Sequence, residues 1–158
     1  MSARLELERV KAIFEKIERK DAVASILHQL AMLAQDTGDL AEARRLYERS
    51  LQTSRELGDK QGIASTLHQL AMLAQDTGDL AEARRLYEQS LQTSRELGDK
   101  QGIASTLAQT ALLEEQEGHI STALSLIRQA EQLFTELGSP MREQARQVRE
   151  RLEKRSNE

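Results

Sequence analysis

The sequence predicts an all-α fold, an α-solenoid of stacked antiparallel helix hairpins. Three observations predict it: a 40-residue internal repeat, a ladder of glycines in phase with that repeat, and apolar stripes at helical period. Asp21 to Lys60 reads DAVASILHQLAMLAQDTGDLAEARRLYERSLQTSRELGDK, and Gln61 to Lys100 repeats it with five differences. Gln101 to Pro140 is a third, divergent copy that opens on an unchanged QGIASTL.

All eight glycines fall into three classes spaced by the repeat: Gly38, Gly78 and Gly118; Gly58, Gly98 and Gly138; Gly62 and Gly102. Gly38 ends one helix, where the backbone turns left-handed and a Cβ is penalised. Asp39 is then placed to cap the next helix, with Glu42 three residues on completing a capping box. Gly58 and Asp59 repeat the stop and start before the following copy. Each copy is therefore two helices, A and B.

Helix A carries Ala24, Leu27, Leu30, Ala31 and Ala34 on one stripe, and helix B carries Ala43, Leu46, Tyr47, Ser50, Leu51 and Leu57. One hairpin cannot bury both stripes alone, so neighbours must stack. Ala3 to Glu18 reads as a lone helix B, with Leu7, Val10, Phe14 and Ile17 on its stripe. A last helix opens at Ser139 and Pro140, with Met141, Ala145, Val148 and Leu152 on one narrow face and Arg142, Arg146, Arg149, Arg151, Lys154 and Arg155 elsewhere. The expected organisation is one repeat domain over 1–158. Capping helices occupy 1–20 and 141–158, and repeats occupy 21–60, 61–100 and 101–140. The expectation is seven long helices, a shorter terminal one and no strand.

Composition narrows the function classes. Only Phe14, Tyr47, Tyr87 and Phe134 are aromatic, and there is no cysteine, which excludes disulfide and thiol chemistry and makes a cytoplasmic setting the expectation. No apolar run approaches the roughly 18 residues that span a membrane, and the first 20 residues lack a signal-peptide core. The net charge of −4 argues against a nucleic-acid partner. No phosphate-cradling glycine loop, nucleophile–base pair or metal cluster can be assembled, so neither enzymatic activity nor a cofactor is expected. His28 and His68 are equivalent residues on adjacent A helices, but Ala108 takes that place in the third copy, so a metal site is not expected.

The run L-x-x-L-A-x-x-A-x-x-x-G-D-x-x-x-A-x-x-x-Y resembles the tetratricopeptide repeat. It is carried by Leu27, Leu30, Ala31, Ala34, Gly38, Asp39, Ala43 and Tyr47, and again by Leu67, Leu70, Ala71, Ala74, Gly78, Asp79, Ala83 and Tyr87. The 40-residue period is similar to the longer variety of spindle-orientation scaffolds and bacterial signalling regulators. The third copy departs from the pattern at Thr110, His119 and Ile127. The resemblance implies a right-handed superhelix whose A helices line a concave groove. It implies a protein- or peptide-binding scaffold.

The groove positions are then Ser25, His28, Gln29, Met32, Gln35 and Asp36 in the first copy and Ser65, His68, Gln69, Met72, Gln75 and Asp76 in the second. The third copy supplies Ser105, Ala108, Gln109, Leu112, Glu115 and Gln116. Met32, Met72 and Leu112 make an apolar row, either facing a partner or packing between A helices. No lysine or arginine is expected in this groove, so a carboxylate clamp is disfavoured. The expected partner is neutral or basic with apolar anchors, and the chain itself a monomer or a weak end-to-end homo-oligomer. The near-identity of two copies supports an alternative: an engineered or self-assembling repeat array with no dedicated ligand. The stripes yield a test by denaturant titration. Leu67→Ala and Leu70→Ala should each cost roughly 2–5 kcal/mol, whereas Arg45→Ala should stay within about 0.5 kcal/mol; equal losses would mean the faces are reversed.

Overall fold

The computed structural model describes residues 3–16 and 19–157. Eight helices follow one another: α1 (Ala3–Lys16), α2 (Lys20–Asp36), α3 (Leu40–Leu57), α4 (Lys60–Asp76), α5 (Leu80–Leu97), α6 (Lys100–Gln116), α7 (Ile120–Glu136) and α8 (Met141–Ser156). No strand occurs among the described residues. Helices α2 and α3, α4 and α5, and α6 and α7 pair as antiparallel hairpins, and each hairpin packs on the next. The result is an α-solenoid.

The turns are built by the repeated glycines and their neighbours. Gly38 sits at φ +82°. Just before it, Thr37 Oγ1 donates to the carbonyls of Leu33 and Ala34, closing the end of α2. Asp39 then accepts from the Glu42 amide at 3.2 Å. Only half of the expected capping box forms, because the Glu42 carboxylate turns outward to a bidentate pair with Arg45. Between hairpins, Asp59 and Asp99 cap α4 and α6 by accepting from the amides of Gly62 and Gly102.

Both stripes are buried as expected, with one correction: Leu57 is exposed, as are its equivalents Leu97 and Leu137. Each is the last or nearly last residue before a left-handed glycine, beyond the reach of the neighbouring helix. Helix A is buried over a wider arc than its stripe. Leu73, Leu113, Thr66 and Thr106 are also fully covered, since each A helix packs on its own B helix and on the preceding hairpin.

The ends differ from expectation in detail. Leu7 and Phe14 pack onto the core, but Val10 stays exposed because no helix A precedes α1 among the described residues. Ile17 and Glu18, expected at the end of this stripe, lie outside the described residues. In α8, Ala145 and Leu152 are buried and Val148 packs beside them, while Met141 in the first turn is exposed.

The near-identity of α2–α3 and α4–α5 has a direct consequence for stacking. Deleting residues 61–100 joins Lys60 to Gln101 and restores the same D-K-Q-G junction, with Arg49 for Gln89 the one change in helix B. A 118-residue chain (158 − 40) should therefore fold, with a cooperative helical melt at a lower temperature because one interface is missing. A non-cooperative melt by circular dichroism would show that the repeats are not interchangeable.

Candidate functional site

The consecutive A helices are joined by a repeated polar relay. Tyr47, fully buried on α3, donates its hydroxyl to Gln35 Oε1 at 3.1 Å, and its ring meets the edge of His28 at 5.3 Å between centroids. His28 Nδ1 is in turn hydrogen-bonded to Thr66 Oγ1 on α4 at 3.1 Å. Tyr87, Gln75, His68 and Thr106 repeat this arrangement one hairpin on. Burial lowers the affinity of both imidazoles for a proton, and burial first, then the nearby Asp36, pushes the Tyr47 phenol up to about 12. His28 and His68 thus spend one nitrogen on holding helices together, and each is only partly open to a partner.

The other expected groove residues divide by exposure. Ser25, Gln29, Met32 and Asp36 on α2 are exposed, as are Ser65 and Asp76 on α4. Gln69, Ser105, Gln109 and Leu112 are half-buried. Met32 is 44% exposed, but Met72 packs against the core, so the row is open at one end and embedded further along. Gln75 donates to Gln116 on α6 at 3.3 Å. At the C-terminal end the expectation of a groove without basic residues is corrected. Arg151 and Arg155 reach back from α8 and donate to Glu115, with contacts of 2.6–3.1 Å. The Arg151 bond, then the Arg155 bond, hold the Glu115 carboxyl below the usual range. The acidic edge is therefore left to Asp36 and Asp76.

The third copy carries a cluster of its own. Glu114, 3% exposed where the other copies have Ala34 and Ala74, hydrogen-bonds His119 Nδ1 at 2.8 Å. Arg84 of α5 donates to both Glu114 and Glu117. Ligand atoms of Glu114, Glu117 and His119 lie within 4.8 Å of one another. The Arg84 guanidinium already supplies these carboxylates with the positive charge that a bound cation would bring.

Sequence reasoning passed over two residues that open the A face. Ser54 and Ser94, near the C-terminal ends of α3 and α5, are 2% and 1% exposed. Each lines the floor of a cleft between consecutive A helices: about 360 Å³ between α2 and α4, and about 280 Å³ between α4 and α6. The signal that would have found them is a hydroxyl in phase with two phenylalanines: Ser54 stands 40 residues after Phe14, and Ser94 stands 40 before Phe134. No helix of the described residues is long and apolar enough to cross a membrane.

The relay yields a prediction about pH. With folded-state values below the ordinary 6.5, the unfolded chain binds more protons at His28 and His68 than the folded one. Stability should then be complete above about pH 6.5 and fall as pH drops through and below it. The carboxylates held low by arginines, such as Glu42 and Glu82, lose their contribution only below the usual 4.5. Urea midpoints measured from about pH 7.5 to 5.5 should decline, and the double variant His28→Gln/His68→Gln should flatten the decline. An unchanged slope would overturn this assignment.

Comparison with known proteins agrees with the hairpin geometry. The family model of the tetratricopeptide repeat matches residues 22–96 and again 62–136. No match is found among curated proteins. Among solved structures, the chain is similar to BtubC (BKLC) from P. vanneervenii, with a TM-score of 0.80 and 21% identity over 87% of this chain and 58% of that one. It is similar to the apo form of RapI, with a TM-score of 0.89 and 13% identity over 98% of this chain and 44% of that one. A kinesin-light-chain-like protein of Podosopora anserina with nearly identical TPR-like repeats gives a TM-score of 0.75 at 21% identity, covering 98% and 78% of the two chains. The chain thus spans about half the length of the first two, and at these identities the likeness is one of fold. With the repeat model covering residues 22–136, the chain belongs to the tetratricopeptide repeat family.

Proposed function

We propose that the chain is a peptide- or protein-binding scaffold that uses the face formed by α2, α4 and α6. Repeats of this family are generally protein-interaction scaffolds. One observation carries the reading further: this face keeps polar side chains and an exposed methionine, Met32, beside one another, while the apolar surface of the same helices is buried. An exposed, unbranched thioether makes an adaptable anchor, and burying it on a partner is worth roughly 1.5–3 kcal/mol before ordering costs. Asp36 and Asp76 add a negative edge that steers basic residues of a partner, an effect that weakens with salt. The opposite face carries exposed Glu–Arg pairs at helical spacing, such as Glu82 with Arg85, and offers a solvated back.

The test is selection from an unbiased peptide library followed by two substitutions. Met32→Ser should weaken a selected peptide about tenfold, in line with one buried apolar anchor, and leave the melting temperature in place. Met72→Ser should lower both affinity and stability, since Met72 touches the core. No enrichment from the library, or enriched peptides indifferent to Met32, would defeat the proposal and favour a structural array.

A further inference from the structure

Ser50, Ser54, Ser90 and Ser94 stand on core-facing positions of α3 and α5 and are all buried. The same positions of the flanking B helices hold Val10 and Phe14 in α1, and Ala130 and Phe134 in α7. The outer helices thus place a phenylalanine where the two central ones place a serine. Ser50 and Ser90 spend their hydroxyls on the carbonyls of Ala24 and Ala64. Ser54 and Ser94 make no side-chain hydrogen bond among the described residues, and since no enclosed side-chain polar atom lacks a partner, their hydroxyl oxygens keep a small opening although the residues are 2% and 1% exposed. A hydroxyl with no protein partner at such an opening bonds to water, or to a ligand group that displaces the water.

Both hydroxyls open into the clefts between consecutive A helices. Gly62 and Gly102 help to keep them open: a Cβ on Gly62 would fall 2.7 Å from Ser54 Oγ and would overlap the Asp59 carboxylate. The rims are neutral hydrogen-bonding groups: Ser25, His28 and Gln29 facing Gln61 and Ser65 in the first cleft, and their equivalents one repeat on in the second. No lysine or arginine lines either cleft, and the capping carboxylates of Asp59 and Asp99 lie in the floors. A carboxylate is therefore excluded, because its desolvation would go uncompensated. A cation is disfavoured too. The Asp59 and Asp99 oxygens are engaged by the amides of Gly62 and Gly102, Asp99 also by Gln61, and the positive ends of the α4 and α6 dipoles point here.

Building on the scaffold reading above, we infer that these twin clefts form a two-point receptor for neutral carboxamide side chains, glutamine or asparagine, carried by one extended peptide. A carboxamide offers two donors and an acceptor, matching hydroxyls and glutamines that can do either. The spacing selects the peptide conformation. Packed helices lie roughly 8–10 Å apart. In a polyproline-II segment, residues i and i+3 share one face about 9 Å apart, so one side chain meets each cleft. The equivalent position of α7 holds the buried Phe134, so the serine-floored clefts are not continued into the third repeat and the receptor reads two side chains.

The probe is a fluorescein-labelled peptide, Pro-Pro-Gln-Pro-Pro-Gln-Pro-Pro, titrated against the full chain by fluorescence polarisation. Replacing one glutamine by alanine should weaken binding roughly three- to tenfold, replacing both by glutamate should abolish it, and moving them to i and i+4 should reduce it to the one-glutamine level. The double variant Ser54→Phe/Ser94→Phe copies the flanking helices, so it should stay folded with an undiminished melting temperature while losing the peptide. Ser54→Ala and Ser94→Ala, which remove the hydroxyls without filling the clefts, should each weaken binding several-fold if the phenylalanine variant fails to fold. Absence of binding, equal binding of the alanine peptide, or indifference to the serine variants overturns the receptor. If library-selected peptides then still require Met32, the scaffold reading survives without the clefts; if they do not, both fall.

Discussion

Each hairpin has two apolar surfaces and only one partner helix of its own, so its second surface is stable only when another hairpin covers it. In the two central repeats that stacking is given direction by the tyrosine relay. Tyr47 reaches back to Gln35 in its own hairpin and presents its ring to His28, which crosses to Thr66 in the next. Apolar contact alone would tolerate sliding of one hairpin along another. The His28–Thr66 bond, set against the ring of a buried tyrosine, fixes the register, since a shift of one helical step would leave both of its groups without a partner. In the third repeat Ile127 and Ala108 replace the tyrosine and histidine, and the relay stops.

The third repeat holds its register by other means. Glu114 takes a position that is alanine elsewhere, and α5 meets it with Arg84. Such a pair adds little net stability over an apolar contact, because both charges lose hydration. Losing Arg84 is costly, however, since the buried Glu114 would be left with His119 as its one side-chain partner. The same α5 surface can therefore be satisfied by this hairpin in one alignment and by few others. The relay and the ion pair are two solutions to a single packing requirement.

The fold was legible in the sequence because its signals were redundant. The glycine phase, the Asp caps and the apolar stripes of Leu27, Leu30 and Ala31 all pointed to the same hairpin, and repetition confirmed each of them. What the single-stripe reading missed was non-local. Leu73 and Thr66 are buried by the hairpin that precedes them, which no periodicity within helix A reveals. Arg151 and Arg155 reach Glu115 across 36 and 40 residues of sequence, so an expectation based on helix A alone could not include them. Ser54 was overlooked for a chemical reason: a small hydroxyl at a core position reads as filler until the space around it is known.

The repetition also gives the molecule an internal standard. Helices α2 and α4 share nearly all their residues but not their surroundings, so intrinsic helix propensity and side-chain composition almost cancel between them. Leu33 is half-buried where Leu73 is sealed, and Met32 lies open where Met72 is packed. Because the residues are the same, each difference is the work of the neighbouring hairpin alone. Residue-resolved hydrogen exchange on this one chain would separate the free energy of coupling between repeats from the free energy of the repeat itself, a separation that most proteins permit only through families of variants.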